Sequence, residues 1–274
     1  MQQKWQRVIP GYYFSLTLTL LGLGLIVVLP LTALLISGWQ VGAPRFWHEA
    51  TQQRVLASYL ISIKGAAIAA SVNTIFGLLL AWVLTQYTFP GKWLLDSLLD
   101  LPFALPTAVA GIALAYLFSD RGWLGRLVAP LGWQVSYTFN GIVVAMIFVT
   151  LPFVVREVQP VLAKLDPSVQ EAAHTLGGST FTILRLVVLP EILPALVAGF
   201  GLVFTRCLGE YGSIVFIAGN QPYRTEITPL LIMFKLEEHS YQGATVLALV
   251  MLVFSFIFNF IIHNWQRHLL RRKG

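Results

Sequence analysis

Charge is scarce in this 274-residue sequence: Asp, Glu, Lys and Arg make up 11% of it, against roughly 25% in an ordinary soluble domain. Hydrophobic residues reach 57%. A chain this poor in charge cannot clothe a water-facing surface, so its composition is that of an integral membrane protein. Cysteine is nearly missing too. Cys207 stands alone, which excludes an intrachain disulfide and a cysteine-rich metal site. No Gly-x-x-x-x-Gly-Lys-Ser/Thr run occurs, so the chain builds no P-loop, and any ATP that drives it sits on another polypeptide. There is no His-Glu-x-x-His pattern and no Ser/His/Asp set; His174, His239 and His263 are scattered through different regions. The expectation is a chain with no catalytic or metal site of its own, and therefore not an enzyme. Lys plus Arg number 18 against 12 for Asp plus Glu. Without a basic, aromatic-interleaved surface, that excess speaks of membrane topology rather than nucleic acid.

What the chain has is long apolar runs. They fall at residues 13–37, 56–84, 98–118, 141–162, 192–218 and 245–262, each of spanning length, which predicts an all-α protein with six transmembrane helices. The first run exceeds a signal-peptide core and lacks a persuasive small-residue cleavage site, so it reads as a span. The predicted organisation is a tail at 1–12, a transmembrane domain at 13–262 with a cytoplasmic loop at 163–190, and a basic tail at 263–274 that snorkels to anionic headgroups. The third run is broken by Pro102 and Pro106. Irregular backbone at membrane depth is tolerated where protein or a watery cavity satisfies it, which puts residues 102–111 beside a pathway or a helix seam.

Lys and Arg in the flanks set the orientation. With the N-terminus inside, Lys4, Arg7, Lys92, Arg156, Lys164, Arg185, Arg267, Arg271, Arg272 and Lys273 lie on the cytoplasmic side, ten in all. Six lie outside: Arg45, Arg54, Arg121, Arg126, Arg224 and Lys235. Both termini are therefore expected in the cytoplasm. Trp39, Trp47, Trp123 and Trp133 fall in the external segments, as an interfacial aromatic belt would. The external segment 219–243 carries Arg224, Glu226, Lys235, Glu237 and Glu238 and is long enough to meet a soluble partner.

Between the fourth and fifth runs lies the one polar-patterned helix. Asp166 before Pro167 suits an N-cap followed by N1, and Ser168 with Glu171 offers a competing capping box. Val169, Ala172, Ala173 and Leu176 fall at i, i+3, i+4 and i+7, a narrow apolar face of short reach. Gly177 and Gly178 have the composition of a left-handed stop, and Ser179 can cap a second helix running to 190. The unit is a helix, a sharp turn and a helix. An amphipathic helix of about three turns is unstable alone in water and calls for a groove in a partner.

This stretch resembles a known motif. Glu171-Ala172-Ala173, then Gly177, then Val187, Leu189 and Pro190 match the spacing of the EAA motif in membrane subunits of bacterial ABC importers. LDLPFALPTAVAG over 99–111, TRCLGEYG over 205–212 and Gly219-Asn220 are similar to the sulfate and molybdate branch of that family. Over 89–111 and 152–220 the similarity is greatest to the T-subunit group of sulfate/thiosulfate permeases, and it covers nearly the whole chain. The resemblance implies a type I ABC importer permease fold in the bacterial cytoplasmic (inner) membrane. It implies an ATPase-coupling role for Glu171, Ala172, Ala173, Leu176 and Gly177. It also implies partners: a homologous second permease subunit of W type, two ATPase subunits that hold the ATP and Mg, and a periplasmic binding protein for sulfate or thiosulfate. Molybdate or tungstate is the alternative cargo.

Path or gate residues are expected at Pro106, Thr107, Val109, Ala110 and Gly111, which resemble the pathway-lining segment of this branch; small-residue helix packing is the other reading of the same residues. Lys64, Arg206 and Glu210 are the ionisable residues inside predicted spans two and five. Each costs about 2.5–3.5 kcal/mol at a span centre, so pairing or water contact is expected. Arg206 and Glu210 at i, i+4 suit an internal pair. With Lys64 they leave one surplus positive charge, the right sign for an oxyanion. Asn73 is expected to make an interhelical hydrogen bond, and Gly201, Gly209 and Gly212 to let helices approach closely. Two rivals stand beside the importer reading. An ion-coupled secondary transporter also uses broken helices and midplane charges but has no use for the alanine-faced loop helix. An intramembrane protease built on Ser179 lacks a nucleophile and base within the spans.

Overall fold

The computed structural model describes residues 11–271, apart from the side chains of Pro167, Val169 and Gln170. Lys4, Arg7, Arg272 and Lys273, named above for orientation, and the Val169 side chain of the loop helix lie outside the described residues. Among those described there are helices and no strands, as expected from composition.

Five helices are long and apolar enough to cross a membrane. They are α1 (Tyr12–Val41), α3 (Gln53–Gln86), α8 (Phe139–Ala163), α10 (Thr180–Leu208) and α13 (Tyr241–Arg271). Between them run α2 (Ala43–Ala50), α4 (Lys92–Leu99), α5 (Leu101–Ala104), α6 (Thr107–Leu117), α7 (Trp123–Val128), α9 (Pro167–Thr175), α11 (Ile214–Ile217) and α12 (Thr228–Glu237).

The third predicted span departs from a simple helix. It is three pieces, α4, α5 and α6, with the chain extended at Leu105 and Pro106. Residue 105 precedes a proline and is driven out of the helical region, so the break falls where local sterics demand it. Alone, α6 would measure roughly 16 Å, about half the hydrocarbon core. The fifth predicted span is displaced as well. It begins at Thr180 and stops at Leu208, so residues 209–213 form a turn rather than helix and Glu210 lies beyond the helix end.

Two long helices widen into a π turn just before a proline. Leu29 N–H reaches back to the Gly24 carbonyl ahead of Pro30, and Leu189 N–H to the Leu184 carbonyl ahead of Pro190. A proline ring collides with the carbonyl four residues back and offers no donor, so a wider turn lets each helix continue.

Packing centres on α3, α8 and α10. In lipid, helices associate through close van der Waals contact rather than apolar transfer, and small residues permit it. A Cβ at Gly77 would sit 2.8 Å from the Val154 side chain, and one at Gly199 would sit 3.5 Å from Val154 Cα. Asn73 makes the expected interhelical bonds, its amide donating to the Ile147 carbonyl at 3.1 Å and to Thr150 Oγ1 at 2.8 Å. Helix α13 closes on α10, where Gly201 faces Ile262 and the Phe204 and Phe258 rings lie 4.0 Å apart. Gly209, by contrast, is open, with no helix against it. Helix α1 is peripheral: Gly38 meets Leu249 of α13, while its other described residues are exposed or half-buried.

The segment 219–243 is folded down rather than free. Glu226, 1% exposed, accepts two hydrogen bonds from Arg54 at 2.6 and 2.8 Å. The Arg54 guanidinium lies 5.4 Å over the Phe234 ring, and Lys235 pairs with Glu49 at 3.0 Å. Glu226 and Lys235 thus serve the chain itself, which leaves Arg224, Glu237 and Glu238 exposed.

Candidate functional site

Two groups of sequence-predicted residues sit near the two ends of α10, which at 29 residues is roughly 43 Å long. At its start is the loop unit. Asp166 caps α9, accepting the Ser168 N–H at 2.9 Å; this resolves the two capping choices in favour of the acid before the proline. That bond, with a smaller contribution from the Ser168 hydroxyl, holds the Asp166 carboxyl below the usual carboxylate range. The helix ends in a Schellman turn. Gly178 N–H donates to the Ala173 carbonyl at 3.0 Å and Gly177 N–H to the His174 carbonyl at 2.9 Å. Gly177 has φ of +84°, a conformation that costs an L side chain roughly 1–2 kcal/mol. Ser179 then caps α10 by accepting the Thr182 N–H at 3.2 Å, so capping rather than nucleophilic chemistry accounts for it.

This local frame divides the expected apolar face. Ala173 turns back and packs on the body of the chain. Glu171 and Ala172 are exposed, and Leu176 is 89% exposed. The capped helix thus holds Leu176 in the open at its tip.

At the other end of α10 the two remaining motifs meet. A Cβ at Gly111 would lie 2.2 Å from the Ser213 carbonyl oxygen, and one at Gly212 would lie 2.1 Å from Thr107 Oγ1. Helix α6 and the turn at 209–213 therefore touch backbone to backbone, which a larger residue at either glycine would prevent. Ala110 and Gly111 are buried in this seam, Thr107 is half-buried, and Pro106 and Val109 are exposed on its other side. Glu210 fixes the turn. It is 2% exposed and pairs with Arg206 at 2.7 Å; its other oxygen accepts the Ser213 N–H at 3.1 Å and the Ser213 hydroxyl at 3.0 Å. The expected i, i+4 pair forms, but around a helix C-terminus rather than along a continuous helix face.

Lys64 is not gathered into this group. It is exposed and lines a separate cavity of about 370 Å³ with Phe139 and Tyr223. It lies nine residues before Asn73, roughly 13 Å along α3, whereas Asn73 is level with Thr150 and hence with Cys207, beside Arg206. A combined charge of Lys64 and Arg206 at one point is not what the fold builds.

One cluster escaped the sequence reading. Arg156 of α8 donates to Asp100 at 2.6 and 3.0 Å, to Asp96 at 2.8 Å and to Gln159 at 2.8 Å. It clamps α4 and the approach to the Leu105-Pro106 break onto α8. The available signal was the spacing of Asp96 and Asp100, one helical turn apart and facing one way. Among the described residues, no group of His, Cys, Asp and Glu is placed to hold a metal ion.

Comparison with known proteins places this architecture. The family model described as binding-protein-dependent transport system inner membrane component matches residues 73–274. The chain is 48% identical to the sulfate transport system permease protein CysT of Salmonella typhimurium over 97% of this chain and 96% of that one, and it matches the Escherichia coli protein of the same name equally well. The CysT protein of Synechococcus elongatus is 44% identical over 92% of this chain and 91% of its own length. Among solved structures, a bacterial alginate ABC transporter in complex with a pentasaccharide-bound periplasmic protein superposes with a TM-score of 0.77 over 97% of this chain and 96% of that chain at 15% identity. The MetNI methionine ABC transporter superposes with a TM-score of 0.59 over 80% of this chain and 97% of its own at 15% identity. These last two establish the fold, that of a type I ABC importer permease. The relatives are named as permeases, not enzymes, and a component of such a system works with a binding protein and an ATPase. This chain is a multi-pass inner membrane protein that belongs to the binding-protein-dependent transport system inner membrane component family, within its CysT sulfate permease group.

Proposed function

We propose that this chain is a membrane subunit of an ATP-driven sulfate importer that also carries thiosulfate. The identity of 48% along nearly the full length to CysT permeases is the observation that carries the cargo. The arrangement of α10 supports the mechanism. One uninterrupted helix joins the exposed loop unit to the seam between α6 and the 209–213 turn, so a push on the first is delivered to the second.

In this reading both termini and the loop unit face the cytoplasm. Glu171, Ala172, Leu176 and Gly177 form the coupling surface, backed by Ala173 on the inner side of the helix, with Leu176 and Ala172 entering a groove on the ATPase. Two ATPase subunits hold the ATP and Mg. A homologous W-type permease subunit supplies the other half of the pore, and a periplasmic protein delivers the oxyanion. Closure of the ATPases displaces α9, and α10 carries that motion to residues 106–111, Arg206 and Glu210 at the path. Lys64 serves as a separate cation nearer the outer mouth. Rigid-body switching about packed interfaces is an established way to move a pathway.

The test is sulfate-stimulated ATP hydrolysis in proteoliposomes that contain this chain, a second permease subunit and the ATPase, with sulfate-loaded binding protein inside or outside. Hydrolysis is expected to require this chain, and Gly177→Asp to uncouple it from sulfate while leaving membrane insertion intact. Ala172→Arg is expected to lose ATPase docking. Competition by thiosulfate, molybdate and tungstate then ranks the cargo. Transport that runs without ATP and collapses with the proton gradient would overturn the proposal.

A further inference from the structure

A cavity of about 660 Å³ opens beside the loop unit. Its walls are the last turns of α3 and the first turns of α10. On α3 the lining runs from Leu79 through Trp82 to Tyr87 just past its end; on α10 it runs from Ile192, Leu189 and Val188 through Arg185 and Leu184 to Phe181 and Thr180. The deep part is apolar. Trp82 and Tyr87 then mark the level of the headgroups, and Arg185 and Thr180 bring a cation and a hydroxyl to the mouth near the loop unit, beside Phe181 and Leu184. His174 of α9 completes that mouth. No carboxylate lines the cavity, and among the described residues Arg185 has no hydrogen bond or ion pair.

We propose that this groove is a site for one anionic phospholipid of the leaflet on the loop side, its acyl chain against Leu79, Val188 and Ile192 and its phosphate on Arg185. Two independent features select this occupant. An apolar trough of this size with a single unpaired cation at the headgroup level matches the two-part chemistry of an anionic lipid, and the long arginine stem lies along apolar surface while its charge reaches the interface. The walls come from three elements that are distant in sequence, α3, α9 and α10, so the lipid ties the loop helix to the membrane body. Lipid binding rests on the chain spanning a bilayer; the consequence for coupling rests on the function proposed above, and the two are read separately.

The experiment uses the complete chain with its partner subunits. Native mass spectrometry counts lipid retained from mixed phosphatidylglycerol and phosphatidylcholine, and ATP hydrolysis is measured in nanodiscs of each lipid. The expected preference for phosphatidylglycerol is about five-fold, the value of one arginine near an anionic surface. Arg185→Gln should abolish the preference, Arg185→Lys should keep most of it, and Arg224→Gln in the segment 219–243 should leave it unchanged. Leu184→Trp, which fills the trough and keeps the charge, should lower retention of both lipids. Loss of preference with unchanged hydrolysis would uphold the site and sever it from coupling. Three results would overturn the site: an undiminished preference in Arg185→Gln, equal occupancy by soluble glycerophosphoglycerol, or efficient crosslinking of Leu184→Cys to the second permease subunit. The native Cys207, fully buried, gives that last arm a quiet background.

Discussion

The two ends of α10 hold their residues in opposite ways. At the loop end, every device that shapes α9 acts within a few residues: the Asp166 cap, the Schellman bonds at Gly177 and Gly178, and the Ser179 cap. At the seam, each device joins segments far apart in sequence, with Gly111 against Ser213, Gly212 against Thr107 and Glu210 tying the turn together. The first end leaves Glu171, Ala172 and Leu176 exposed. The second spends its side chains on itself. The coupling proposed above needs both: a surface that keeps its shape while partners come and go, and a packed interface with few arrangements, so that motion is transmitted rather than absorbed.

That contrast can be broken hardest at the seam. Glu210→Ala leaves Arg206 without its partner and the Ser213 N–H without an acceptor. Breaking a buried pair costs about 3–5 kcal/mol; with Arg206 still 37% exposed, the lower end is expected, read as a fall in the thermal midpoint of the purified complex. Glu210→Gln should recover part of it through the Ser213 bonds. Wild-type stability in the alanine variant would mean that the turn is held by something else.

A pair of glycines sharpens the comparison. Gly111→Val drives a side chain into the Ser213 backbone, an overpacking cost of about 1–3 kcal/mol, and should abolish transport together with stability. Gly177→Ala meets nothing within 4 Å, so only backbone strain of about 1–2 kcal/mol remains. It should weaken coupling while the spans stay as stable as before. Equal losses of global stability in the two would erase the distinction between the ends.

The smallest effect belongs to Asp166. Its folded carboxyl lies below the unfolded value of about 3.9, so its contribution is fully present above that value and fades as pH falls through the lower, folded one. Amide exchange across 167–175 should quicken in Asp166→Ala at pH 7 and change little in Asp166→Asn, which also caps. Acidification should lower protection, taken relative to the intrinsic exchange rate at each pH, in the wild type and leave that of the alanine variant unaffected.

How legible each part was follows from the range of the forces involved. The loop unit could be read residue by residue, because a cap, a proline at N1 and a glycine at C′ are decided by neighbours. The Arg206 and Glu210 pair was legible from spacing, but not the helix end between them, which leaves no clear composition signal in an apolar run. The Asp96, Asp100 and Arg156 cluster was missed because its halves lie on different helices, although the one-turn spacing of the two aspartates was in plain view. Lys64 and Arg206 looked like partners in sign, and the rise along α3 sets them at different depths.

The sequence by itself determined the solvent, the class of fold and the local shape of the loop helix, since low charge, apolar run length and capping chemistry act without knowledge of distant residues. Only the tertiary structure decided that α10 runs unbroken past Pro190, that the two glycine-bearing motifs meet backbone to backbone, and that α3, α9 and α10 enclose a groove with Arg185 on its wall. These depend on which helix faces which, and in a bilayer that choice is made by close packing among surfaces that all look equally apolar in sequence.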